Sequence, residues 1–112
     1  MKRDRDYLRD LLLQMQREPD GTIYHVLLAA PLDEELKLDH HLELLVDQGL
    51  VAPKGDDGYR LTSSGHDAVE AIEKESFWLK LREASPREAY EILKPVGSSL
   101  AVNALSKLMG WN

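Results

Sequence analysis

The chain has no cysteine. A disulfide framework, a thiolate metal site and a cysteine nucleophile are excluded at the outset, and a reducing cytoplasm fits that composition. Long apolar runs are missing too. The stretch from Val26 to Leu32 is far shorter than the roughly 20 residues a helix needs to cross a bilayer, and the opening Met-Lys-Arg-Asp-Arg-Asp lacks the apolar segment of a signal peptide. A cytoplasmic protein with no membrane partner is expected. Basic charge is scarce: 14 Lys and Arg against 20 Asp and Glu leave a formal net charge of −6, the wrong sign for long-range attraction to a polyphosphate. There is no phosphate-loop or dinucleotide-binding motif, no internal repeat and no low-complexity segment.

What is there is a globular balance, 43% hydrophobic and 30% charged over 112 residues, the size of one domain. From Asp4 to Glu18 apolar residues fall at Leu8, Leu11, Leu12 and Met15, the spacing of an amphipathic helix capped by Asp4 and ended by Pro19-Asp20-Gly21. Tyr7 and Leu13 lie off that stripe, so a second cover is expected from the C-terminal helices or from another subunit. Thr22 to Ala29 reads as a short strand or an irregular apolar connection. A helix over 33–48 follows. Asp33, Glu34 and Glu35 suit its positive end, Leu36, Leu38, Leu42, Leu45 and Val46 run along it, and Gly49 closes it. A break near Asp39 would divide it into the two helices of a helix-turn-helix.

Leu50-Val51-Ala52 and Tyr59-Arg60-Leu61-Thr62 flank the turn Pro53-Lys54-Gly55-Asp56-Asp57-Gly58 and predict a β-hairpin around 51–62. Thr62 or Ser63 caps a helix whose apolar positions Val69, Ile72, Phe77, Trp78 and Leu81 run to about Ala84. Ser85-Pro86 begins a short helix through Leu93. After Pro95 and Gly97, Ser98 or Ser99 opens a last helix carrying Leu100, Ala101, Ala104, Leu105, Leu108 and Met109.

Helix, strand, helix, hairpin, helix is the order of a winged helix, mainly α with a small β-hairpin wing. The expectation is one domain over 1–112, with a winged-helix core over 4–84 and a C-terminal helical extension over 85–112. Leu44-Leu45-Val46-Asp47-Gln48-Gly49-Leu50-Val51 buries the recognition-type helix, turns left-handed at glycine and starts the wing. Leu61-Thr62-Ser63-Ser64-Gly65 closes the wing and caps the next helix. These segments, with Lys2-Arg3-Asp4-Arg5-Asp6, Leu8 to Leu13, His41 to Val51, Leu61 to Ile72 and Trp78-Leu79-Lys80, resemble DUF2513, a family of small proteins of uncharacterised function often found in phages and prophages. The resemblance spans roughly residues 2–81 and implies fold and phage context alone. Two features depart from the family pattern: Ser63 stands where an aromatic is expected, and 85–112 looks less like its members.

The fold's usual role is that of a DNA-associated transcriptional regulator, with double-stranded DNA as partner. The residues that could serve it are Lys2, Arg3 and Arg5 at the N-terminus, Lys37 and His40 on the recognition-type helix, and Lys54 and Arg60 on the wing. The exposed stripe of that helix, Leu36, His40, Glu43 and Asp47, is not basic. Six acids and one base over 33–47 give a local charge of −5, whereas major-groove readers combine Arg, Lys, Asn or Gln at base edges with nearby cations. The alternative is a protein–protein interaction module. It would be a homodimer through the first and last helices, or an acidic protein occupying a nucleic-acid-binding site on a host protein. Tyr7, Leu13, Leu105, Leu108 and Trp111 are the interface candidates.

No catalytic residues are expected. Adjacent His40 and His41 point about 100° apart on a helix and cannot chelate one metal as an i, i+4 pair does. His41 belongs at the core boundary, and His66 has no nucleophile or second carboxylate at useful spacing. Phe77, Trp78 and Leu81 read as helix-packing residues, with an interface as their functional alternative. No cofactor, metal or small-molecule ligand is expected.

Overall fold

The computed structural model describes residues 2–18, 22–24, 32–56, 58–94 and 99–109, with the side chains of 22–24 and 99–100 outside that description. The described part is mainly helical with a small antiparallel sheet. In chain order the elements are α1 (Arg5–Arg17), β1 (Thr22–Tyr24), α2 (Leu32–Asp47), β2 (Val51–Lys54), β3 (Gly58–Leu61), α3 (Ser63–Ile72), α4 (Glu75–Glu83), α5 (Pro86–Leu93) and α6 (Ser99–Leu108). Of the stretch 22–29, residues 22–24 form a strand and 25–29 lie outside the described residues. Among the described residues no helix is long and apolar enough to cross a membrane.

α1 buries the four residues its spacing selects, Leu8, Leu11, Leu12 and Met15, and the Asp4 carboxylate accepts the Tyr7 N–H at its start. α2 runs unbroken through Asp39, because Leu38, His41, Leu42 and Leu45 form one continuous inward stripe with no glycine or proline in it. Gly49 then takes φ 73°, the left-handed turn that a side chain would strain, and Leu50 N–H donates back to Leu45 O at 3.1 Å.

β3 is the central strand, paired with β1 on one side and β2 on the other. Val51 faces Leu61, Ala52 faces Arg60, Pro53 faces Tyr59 and Lys54 faces Gly58. The turn is shorter than the sequence suggests. Pro53 and Lys54 belong to β2 and Gly58 to β3, and Pro53 is accommodated because β2 is an edge strand that can do without its N–H.

Thr62 joins the hairpin to α3. Its hydroxyl donates to Gly49 O and accepts Gly65 N–H at 3.0 Å, so Thr62 is the cap and not Ser63. The single helix expected to run to Ala84 is two helices, broken at Glu73 and Lys74, where Lys74 is extended (ψ 120°). Neither residue is a sequence breaker. The break is tertiary: Arg9 of α1 donates to Ile72 O at 3.0 Å and to Glu73 O at 3.2 Å, taking the terminal carbonyls of α3. Trp78, Leu81, Ala89 and Leu93 of α4 and α5 join Leu105 and Leu108 of α6 in the core with α1 and α3.

Candidate functional site

The seven residues expected to meet DNA fall in three places. Lys2, Arg3, Arg5 and Lys37 come together around an open hollow of about 730 Å³, with Asp4, Asp6, Asp33, His41 and Arg82 on the same walls. Lys54 and Arg60 lie on the hairpin, and His40 is half-buried on α2.

Most cations around the hollow hold the chain together. Arg3 donates to Lys107 O (2.7 Å) and Leu108 O (3.2 Å), and Arg5 to Met109 O, so two guanidinium groups sit on the last carbonyls of α6, the negative end of its dipole. Lys37 pairs with Asp4 at 3.1 Å and lies 4.6 Å from the centre of the Tyr7 ring. Arg82 pairs with Asp6 at 3.3 Å, whose other oxygen accepts the Trp78 indole N–H at 3.1 Å.

His41 sits deeper than the core boundary, with 0% of its surface exposed. The backbone N–H of Asp4 donates to Nε2 at 2.9 Å, and Nδ1 lies 2.7 Å from Lys37 O. An acceptor at Nε2 requires the proton at Nδ1, so one neutral tautomer satisfies both contacts and leaves no lone pair for a metal. Burial holds its pKa below the ordinary histidine value, opposed by the hydrogen bond to Lys37 O and reinforced by His40, whose ring stands edge-on at 5.1 Å. The Asp4 carboxyl is also lowered, chiefly by the Tyr7 N–H and then by Lys37. Burial raises the Tyr7 hydroxyl.

The interface candidates are redistributed. Leu105 and Leu108 are 2% and 4% exposed and belong to the chain's own core, which corrects the expectation that they meet a partner. Tyr7 is half-buried, with its ring on His41 of α2, 4.7 Å centre to centre. Leu13 is half-buried against the core. Trp111 lies outside the described residues. Trp78 and Leu81 are buried and Phe77 packs beside them, as their spacing suggests, while His66 is exposed at the first turn of α3.

A second concavity, about 230 Å³, lies between α2 and the hairpin and is lined by Glu43, Val46, Asp47, Pro53 and Tyr59. Strand alternation builds it. Val51 and Leu61 face the core, so Pro53 and Tyr59, two residues further out on their strands, share that side, and Ala52, Lys54 and Arg60 take the opposite one. The α2 side of the hairpin is thus apolar, and the two hairpin cations point the other way. Glu43 and Asp47 belong to the exposed stripe that helical spacing predicts, whereas Pro53 and Tyr59 are not among the residues the sequence singles out. Counting the alternation outward from Val51 and Leu61 would have found them.

Neither a protein-family model, nor a curated protein, nor a solved structure matches the chain. The outward side of α2 presents Leu32 (66% exposed) and Leu36 (49%) at its first half and Glu43 and Asp47 at its second. A mixed apolar and acidic face is suited to a protein and repels phosphate.

Proposed function

We propose that the chain is a non-catalytic winged-helix domain that works as a protein–protein interaction module, docking a basic partner surface on α2 and the α2 side of its wing. The element order and the sheet order β1-β3-β2 support the fold reading. One observation carries the function: the helix that would enter DNA shows exposed leucines and carboxylates, with no Lys or Arg on that stripe. The DUF2513 resemblance adds a phage or prophage setting, in which an acidic protein could occupy a nucleic-acid-binding site on a host protein.

DNA-associated regulation is the second reading, favoured by the hollow at the N-terminus, whose walls carry Lys2, Arg3, Arg5, Lys37 and Arg82. Arg3 and Arg5 keep their charge but spend N–H donors on α6, and Lys37 and Arg82 are paired with carboxylates. Fluorescence anisotropy separates the two. Labelled duplex DNA should show no saturable binding even at low ionic strength, and a labelled basic peptide should bind and be lost with Glu43→Lys plus Leu36→Ser. Tight DNA binding that weakens steeply with salt, and is lost on Lys2→Ala with Lys37→Ala, would overturn the proposal.

A further inference from the structure

We infer that the groove between the second half of α2 and the outer part of the hairpin receives one arginine side chain, carried by an extended basic segment of a protein partner. The inference rests on the interaction-module reading and names what that surface selects.

The volume is the first constraint. About 230 Å³ is below the roughly 300 Å³ at which small-molecule pockets begin, and the groove is open, so it suits one long side chain entering from outside. The lining is the second. Val46, Pro53 and Tyr59 offer an apolar floor for an aliphatic stem, and Tyr59 offers a half-buried aromatic ring on which a guanidinium can stack.

Charge is the third constraint. Glu43 and Asp47 stand one helical turn apart on the same face, with their Cβ atoms about 5–6 Å from each other, within the reach of one guanidinium fork. They also stand at the end of α2 where the dipole is negative, and the last turn of α2 carries no base. Carboxylates there are held against the field of the helix, and an incoming cation relieves both at once. Lysine satisfies the charge but not the fork or the stacking plane, so arginine is preferred. Pro53 contributes no N–H to the β2 edge, so the groove takes a side chain and not an added strand.

The test uses the intact chain and three labelled peptides of one length whose basic positions are all arginine, all lysine or all citrulline. Arginine peptide should bind more tightly than lysine peptide, and citrulline peptide should not bind. Tyr59→Leu should reduce the arginine-over-lysine preference by about two- to fivefold, the weight of an exposed cation–π contact. Glu43→Gln with Asp47→Asn should weaken arginine binding by about tenfold, the sum of two exposed charge pairs. Chemical-shift changes on peptide addition should centre on Val46 and the Tyr59 ring. Equal affinity for arginine and lysine, or shifts centred on Leu32 and Leu36 with Val46 and Tyr59 unmoved, overturns the arginine groove and leaves the interaction module standing. Failure of every basic peptide, with duplex DNA bound, overturns both.

Discussion

Replacing Gly65 with alanine tests the contact that seats the hairpin against the helical body. Gly65 is the third residue of α3 and is buried. A methyl group there would lie 2.0 Å from the Leu50 carbonyl oxygen, 3.1 Å from its carbon and 3.2 Å from Leu61 Cδ2. The nearest obstacle is backbone, which cannot rotate aside. The same oxygen accepts the Thr62 N–H at 3.0 Å, so pushing α3 away breaks that bond and loosens Leu50, Val51 and Leu61. Overpacking costs about 1–3 kcal/mol and the lost hydrogen bond about 1 kcal/mol, offset by up to ~1 kcal/mol of better helix propensity. A net loss of about 1–3 kcal/mol is expected, which at a urea slope of roughly 1–3 kcal/mol/M lowers the unfolding midpoint by about 0.3–3 M. Gly49→Ala is the control: Gly49 has φ 73° and open space around its Cβ position, so its cost is left-handed strain of about 1 kcal/mol. Urea unfolding followed by circular dichroism reads both. A Gly65→Ala midpoint within about 0.3 M of the parent, or a larger loss from Gly49→Ala, would refute the close-approach argument.

Three further outcomes follow from the polar contacts around α1. His41 is neutral in the fold and its pKa is lowered by burial, so its contribution to stability is complete above the unfolded value of about 6.5 and is lost as pH falls from there toward the folded value; His41→Phe should flatten the urea midpoint between pH 7 and 5, and an unchanged slope would count against the assignment. The Asp4 contribution, also from a lowered pKa, is complete above its ordinary value of 3.8 and is lost as pH falls from there toward the folded value. Arg3→Ala with Arg5→Ala strips the donors from Lys107, Leu108 and Met109 carbonyls, which should cost about 1–2 kcal/mol and speed amide exchange in α6; protection equal to that of the parent would show that these contacts do not hold the helix.

Local signals were legible where the deciding partner is near in sequence. The stripe Leu8, Leu11, Leu12, Met15, the left-handed Gly49 and the hydroxyl of Thr62 act within one or two turns, and each has the role its residue type implies. The break at Glu73 and Lys74 was illegible because its cause, Arg9, sits some 63 positions away, and propensity alone would continue the helix. His41 was placed at the core edge for the same reason: its Nε2 partner is the Asp4 N–H, 37 positions upstream.

The N-terminal cations show how that limit bears on function. A cluster such as Lys2, Arg3 and Arg5 looks, in one dimension, like an arm available to phosphate. Folding brings the end of α6 beside it, across 104 positions for both Arg3 and Arg5, and a helix end with unsatisfied carbonyls competes for guanidinium donors at no cost in diffusion. Asp4 and Asp6 compete likewise for Lys37 and Arg82. On α2 the acids Glu43 and Asp47 remain exposed at the mouth of a groove. A net charge of −6 therefore understates how unevenly the molecule meets other molecules. Much of its positive charge works between helices, while its α2 face offers carboxylates and leucines, and the proposal of a basic protein partner rests on that contrast.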